Sequence, residues 1–240
     1  MDIFVFDPGG HYLKSIHAEN GPIAASGSLT LLEGVPAGDY SVVSFANAER
    51  SAFTPMSAGV STLDDLKVVL DNGTSHDTGD PLFHHYGHFH VQRGDPVVIP
   101  VLLDKCYYRI DLTVSGAEAA EDFTVTFQGA SSGIDYAGET LAESVLYRPP
   151  LKKTEEGIHT GTLCLPRFGD DSSVTMILAS GARKLAEIPL SEYLRNGDVP
   201  IDLTAKDVII PIEVHVRTAA VTVTVNEWAE GALQIPIVGH

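Results

Sequence analysis

Between Leu29 and Glu49 the chain reads LTLLEGVPAGDYSVVSFANAE, and no other stretch narrows its possible folds as much. Leu29 and Leu31 alternate with Thr30 and Leu32, and Gly34, Pro36 and Gly38 then follow in close succession. Glycine supplies positive φ and proline presets a bend, so the segment turns here. Beyond the turn, Tyr40, Val42 and Ser44 point one way and Ser41, Val43 and Phe45 the other. Their β-branched and aromatic content predicts a strand covered on both faces, the second arm of a hairpin in an all-β protein.

The same period of two recurs along the chain. Residues 208–217 and 220–226 carry it most strictly, with Val221, Val223 and Val225 set against Thr222 and Thr224. Further strands are predicted over 3–6, 11–17, 83–92, 97–103, 105–114, 123–128, 140–147, 160–165, 173–179 and 184–189. Turn sequences such as DPGG, RGDP, GAEAAED and SGAR separate them at intervals of about 8 to 12 residues, the spacing of β-sandwiches. Ser61 and Thr62, followed by Asp64 and Asp65, have the form of a capping box. They predict a helix of two or three turns with Leu63, Leu66, Val69 and Leu70 on one side. A single helical turn is predicted over 191–196, ended by Gly197.

With 240 residues the chain has room for two sandwiches of roughly 100 residues each. The apolar run over 97–114 is too long for one strand, and Asp104 and Lys105 interrupt it. The predicted division is therefore 1–104 and 105–240, two β-sandwich domains in tandem with one short helix in the first.

Composition excludes several functions. The 32 acidic against 15 basic residues give a net charge of −17, which repels nucleic-acid phosphates. Hydrophobic residues make up 44% of the chain, enough for real cores, yet no window approaches the roughly 20 apolar residues of a membrane span. The expectation is a soluble globular protein. Cys106 and Cys164 do not make a disulfide framework, and strand parity argues against their pairing. There is no G-x-S-x-G elbow, H-E-x-x-H motif, P-loop or dinucleotide fingerprint. The acid pairs Asp64–Asp65, Glu155–Glu156 and Asp170–Asp171 are adjacent, so on strands or turns they diverge.

Three features invite chemistry. In FHHYGHFHV, strand parity puts His84, Tyr86, His88 and His90 on one face, and H-x-H is a metal-site spacing. The nearest carboxylates, Asp77 and Asp80, lie across a loop, so these histidines are expected on an exposed strand face without a metal. The tripeptide in RGDP, Arg93 to Pro96, is read as a turn. Trp228, the single tryptophan, is expected to plug the core or edge of the second sandwich. No catalytic, cofactor-binding or metal-ligating residue is assigned.

The hairpin motif, alternating apolar residues and then GxPAGxY before a hydrophobic strand ending in Asn47, resembles the first domain of Bacteroidales-type fimbrial minor subunits, the anchor and accessory proteins of adhesive pili. IFVFDPGGHYL at 3–13 is similar to that family's opening strand and turn, and STLDDLKVVL, PLFHHYGHFHV, VVIPVLLDKCYYRIDLTV and VTVNEW follow in the family's order. The resemblance implies two transthyretin-like Greek-key sandwiches and a non-enzymatic component of adhesive fimbriae. It also implies assembly with other fimbrial subunits by strand addition, and a place at the cell outer membrane or in the extracellular fimbrium through an upstream lipid anchor. Met1 is followed at once by Asp2 and a strand, with no secretory signal, so Met1 is expected to be an added start inside a mature chain. The first sheet is then expected to lack a strand, which leaves an edge beside residues 3–6 or on a neighbouring strand, open or filled by another chain. A second reading is a surface polysaccharide-binding module using Tyr136, Tyr147 or Trp228 as stacking platforms.

Overall fold

The opening DPGG reverses the chain because the Asp7 carboxylate accepts hydrogen bonds from the amides of Gly9 and His11, 2.8 and 2.9 Å away. Strands β1 (Asp2–Phe6) and β2 (Tyr12–His17) flank this turn. The computed structural model describes residues 1–18, 35–70, 73–93, 97–116, 122–169, 172–196, 201–217, 220–225 and 233–236. Next come β3 (Gly38–Ala46), β4 (Ser51–Phe53), β5 (Lys67–Leu70), β6 (Ser75–His76), β7 (Phe83–Val91) and β8 (Asp104–Lys105). These are followed by β9 (Tyr107–Ser115), β10 (Phe123–Ser131), β11 (Gly133–Asp135), β12 (Ser144–Tyr147), β13 (Lys152–Lys153) and β14 (His159–Pro166). The last elements are β15 (Thr175–Ser180), β16 (Arg183–Pro189), helix α1 (Leu190–Asn196), β17 (Ile209–Arg217), β18 (Ala220–Val225) and β19 (Leu233–Pro236). The protein is all-β, with antiparallel and mixed sheets and, among the described residues, one short α-helix.

The chain divides into two units, 1–71 with 80–106 and 133–141, and 72–79 with 107–132 and 142–240. The first therefore ends beside Asp104 and Lys105 but also takes in β11 from further along, while β6 belongs to the second. The first unit has a five-stranded sheet in the order β2-β1-β3-β7-β8 and a three-stranded sheet β11-β5-β4. Phe4, Phe6, Val43 and Phe45 from the larger sheet meet Val68 and Ile134 from the smaller in one core, closed by Tyr12, Leu66, Leu82 and Cys106. Its aromatic rings pack edgewise, Phe4 on Phe45 at 6.3 Å and Phe6 on Tyr12 at 6.0 Å, adding about 0.5–1.5 kcal/mol per pair beyond burial. Central strand β3 is buried on both faces from Tyr40 to Phe45, as its composition predicts. Residues 3–6 themselves have no open edge, since β1 is laddered on both sides, to β2 and to β3; the end strand of the sheet, among the described residues, is the neighbouring β2.

The helix predicted after the capping box is not there. Thr62 and Asp65 do form the box, but it starts only a 3-10 turn over Leu63–Asp65. The chain then runs as β5, with Leu66, Val68 and Leu70 buried on alternate positions. Val68 and Val69 are β-branched and favour the strand, which pairs with β4 on one side and β11 on the other. The short helix lies in the second unit, where α1 buries Leu190 and Leu194 one turn apart and keeps Glu192 in its first turn and Arg195 in its last.

The second unit pairs a sheet in the order β16-β15-β10-β12-β6 with a six-stranded sheet β13-β14-β9-β17-β18-β19. Strands β9 and β17 run parallel, with Tyr108, Ile110, Leu112 and Val114 buried on one and Ile210, Ile212 and Val214 on the other. Tyr108 anchors this core through its hydroxyl, which donates to the Leu203 carbonyl at 2.6 Å. Arg167 lies over the same ring, 5.1 Å from its centre, and bonds the carbonyls of Leu203 and Ala205. In the loop beyond, Asp202 accepts from the hydroxyl and amide of Thr204, which holds its carboxyl below the usual carboxylate range.

Candidate functional site

Strand β7 gathers the residues that drew attention in the sequence. It pairs with β3 along its full length, so that His84 lies opposite Phe45, Tyr86 opposite Val43, His88 opposite Ser41 and His90 opposite Asp39. These four side chains share the face that looks toward the smaller sheet. His88 and His90 are exposed there: His88 Nδ1 lies 3.0 Å from the Ser41 hydroxyl, and His90 Nδ1 lies 2.7 Å from the Asp39 carboxylate.

His84 corrects the expectation of three exposed histidines. It is buried against Phe45, ring centres 5.2 Å apart, and its Nε2 donates to the Tyr136 carbonyl at 2.8 Å. Gly138, at φ +84°, lets the turn after β11 close onto the ring, since a Cβ there would stand 2.9 Å from His84 Nδ1. Burial pushes the imidazole below its ordinary value, outweighing the upward pull of the Tyr136 carbonyl and the Asp135 and Asp104 charges. The unfolded chain therefore takes up this proton first as pH falls. The stability due to neutral His84 is complete above pH about 6.5 and declines as pH drops from there toward the depressed folded value. Melting curves of the wild type should lose more Tm between pH 8 and 5 than those of His84→Gln, which keeps a donor for Tyr136. Equal pH slopes would show that His84 is not the group responsible.

The carboxylates are committed elsewhere. Asp80 is buried and accepts from the backbone amides of Arg50 and Ser51 at 2.8 to 3.0 Å, and Asp77 is exposed in the other unit. Among the described residues no three His, Cys, Asp or Glu side chains are placed to hold a metal ion. Cys106 is buried in the first unit and Cys164 half-buried in the second. Tyr147 cannot serve as a platform because it is fully buried, its hydroxyl donating to the Ser131 carbonyl at 2.8 Å. Tyr136 is half-buried at the core margin, and that burial, then the charge of Asp64, pushes its phenol pKa up. Arg93 is exposed, Glu155 and Glu156 are solvated, and Gly94, Asp95, Pro96, Asp170, Asp171 and Trp228 lie outside the described residues.

The feature that sequence reasoning missed lies beside β7. Its outer edge meets β8 only at Phe83 and His84, so among the described residues positions 85–91 have no ladder on that side. Residues 97–103, predicted as a strand, run back alongside without forming one. His85 Nδ1 reaches across to the Leu102 carbonyl at 3.2 Å. Along this arm Ile99 and Val101 are half-buried, while Val98 is 86% and Leu102 73% exposed. A solvent-facing edge ordinarily carries charge or proline to discourage pairing. This one carries Pro100 but surrounds it with aliphatic side chains.

Solved structures share this architecture. A Bacteroides thetaiotaomicron protein described as a candidate polysaccharide-binding protein superposes with a TM-score of 0.78 at 18% identity, over 98% of this chain and 89% of that one. A candidate adhesin of Bacteroides ovatus gives 0.76 at 15% identity, covering 98% and 87%. The fimbrial anchor protein Mfa2 of Porphyromonas gingivalis gives 0.71 at 13% identity, covering 97% and 90%. No curated protein sequence matches the chain. In architecture, then, this is an all-β protein with the fold of bacterial surface adhesins and fimbrial anchors. It belongs to the family of fimbrillin-A associated anchor proteins Mfa1 and Mfa2, whose model matches residues 1–230. That is the family the hairpin and strand motifs resemble. It is a structural family of cell-surface fimbriae, not an enzymatic one, and its name ties it to fimbrillin subunits.

Proposed function

We propose that this chain is an anchor or accessory subunit that holds a fimbrium to the outer membrane and receives a strand from a fimbrillin neighbour on the outer edge of β7. The observation that carries this reading is the edge at 85–91, without a ladder among the described residues, beside the exposed Val98 and Leu102. An added strand satisfies the unpaired amides and carbonyls of the edge, and its alternate side chains cover the apolar arm. A lipid surface would cover Val98 and Leu102 equally well but leave those backbone groups without partners, which favours a peptide strand. A second copy of the chain would bring its own charge of −17 to the contact, which favours a different subunit. In this reading the two units act as transthyretin-like Greek-key sandwich domains, divided near Asp104 and Lys105. Membrane attachment comes from a lipidated cysteine upstream of Met1.

The test is binding to an Mfa1-type fimbrillin. Val98→Asp with Leu102→Asp places two carboxylates where the docked strand would desolvate them, and binding should weaken at least about tenfold, or 1.4 kcal/mol. Both side chains are solvent-facing, so the fold should keep its Tm. Unchanged affinity would remove the arm from the interface.

A further inference from the structure

On the face of β7 that looks toward the smaller sheet, Tyr86 stands between two other rings. It meets Tyr136 edge-on at 5.5 Å and 84°, and His88 at 4.9 Å and 68°. Both tyrosines pack one side against the core and leave the other at the surface. Neither hydroxyl is bonded to another described residue. The carboxylate of exposed Asp64, whose charge acts on the Tyr136 phenol, likewise has no bond to another described residue, Asp65 taking the capping-box role beside it. His88 is oriented by Ser41 through Nδ1, which leaves Nε2 facing solvent.

Tyr136 is also held in place. Its carbonyl is pinned by His84, and its turn is closed by the Asp135 carboxylate, which accepts from the amides of Ala137 and Glu139 at 2.8 and 3.0 Å. The result is a fixed aromatic surface fringed by two phenol hydroxyls, one carboxylate and one imidazole nitrogen, none of them bonded to another described residue. A pyranose ring asks for that combination, with aromatic faces for its C–H surface and donors and acceptors for its hydroxyls. Rigid aromatic contacts also lose little conformational entropy on binding.

We infer that Tyr86, Tyr136, His88 and Asp64 form a binding site for a neutral polysaccharide on the first unit, a function separate from fimbrial assembly. Neutral sugars are favoured because Asp64 and the net charge of −17 repel uronic acids and sulfated chains. The site lies on the face of β7 and the proposed strand seat along its edge, so the two readings fail independently.

The full chain can be run through native gels containing yeast mannan, dextran or birchwood xylan, with polygalacturonate as the acidic counterpart. Retardation is expected with at least one neutral polymer and not with polygalacturonate. Tyr136→Ala should weaken it about tenfold, and Tyr136→Phe, which keeps the ring and the fold, by less. Asp64→Asn should also weaken it, whereas Tyr147→Phe should not. Absence of retardation by all three neutral polymers, stronger retardation by polygalacturonate, or equal retardation of wild type, Tyr136→Ala and Tyr136→Phe would each overturn the proposal. Fimbrillin binding by the same variants reports on the β7 edge alone.

Discussion

Replacing Gly133 by alanine should unravel the smaller sheet of the first unit. Strand β11 approaches β5 so closely that a Cβ at this position would fall well inside the van der Waals shell of the Val68 carbonyl oxygen and 2.9 Å from Val69 Cα. Both obstacles are backbone, so no rotamer change relieves them. To admit the methyl, β11 must separate from β5, giving up the pairing of Gly133 with Val69, Ile134 with Val68 and Asp135 with Lys67. Ile134, 1% exposed, would leave the core with it. Overpacking at a backbone contact together with partial loss of a buried isoleucine should cost about 3–4 kcal/mol. Thermal unfolding and amide exchange across Lys67–Leu70 measure this. A Tm within about 2 °C of wild type would mean that β11 is not held as described.

Asp80→Ala is expected to be nearly as damaging, for an electrostatic reason. The carboxylate is buried and its oxygens receive the amides of Arg50 and Ser51, fixing the entry to β4. Charge-assisted bonds of this kind are each worth more than neutral ones, and alanine leaves the donors buried without acceptors. The expected loss is about 3 kcal/mol, with Asp80→Asn falling between alanine and wild type because its amide oxygen still accepts. Equal stability of Asp80→Ala and wild type in urea would show that solvent satisfies those amides.

Much of this architecture is legible where the information is local. Strict alternation identifies β9, β17 and β18, because a half-buried sheet face demands a period of two and leaves it in the residues, while β3, buried on both faces, is marked by its β-branched and aromatic content after a turn. The capping box at Thr62 and Asp65 is legible too, but the conformation of the residues after it is not. Leu63, Leu66, Val69 and Leu70 fit a helical stripe as well as Leu66, Val68 and Leu70 fit a strand, and the ladders to β4 and β11 decide between them. Strand β11 is three residues of Gly-Ile-Asp within a sequence rich in turn formers, so its membership of the first unit depends on a partner more than sixty residues away. His84 reads like its exposed neighbours until Phe45 and the turn at Gly138 close over it. The arm at 97–103 has strand composition and no ladder, a combination that only the paired structure around it can reveal.

That arm and the edge beside it carry the central claim, and hydrogen exchange on the assembled complex tests it most directly. In the isolated chain the amides between His85 and Val91 that point away from β3 should exchange fast, while those bonded to β3 stay protected. On binding an Mfa1-type fimbrillin, the outward-facing set should slow by at least about a hundredfold, as expected when a ladder forms over a bare edge. If the complex forms and those amides exchange as fast as before, with protection arising at another sheet edge, then the β7 edge is not where the subunits join.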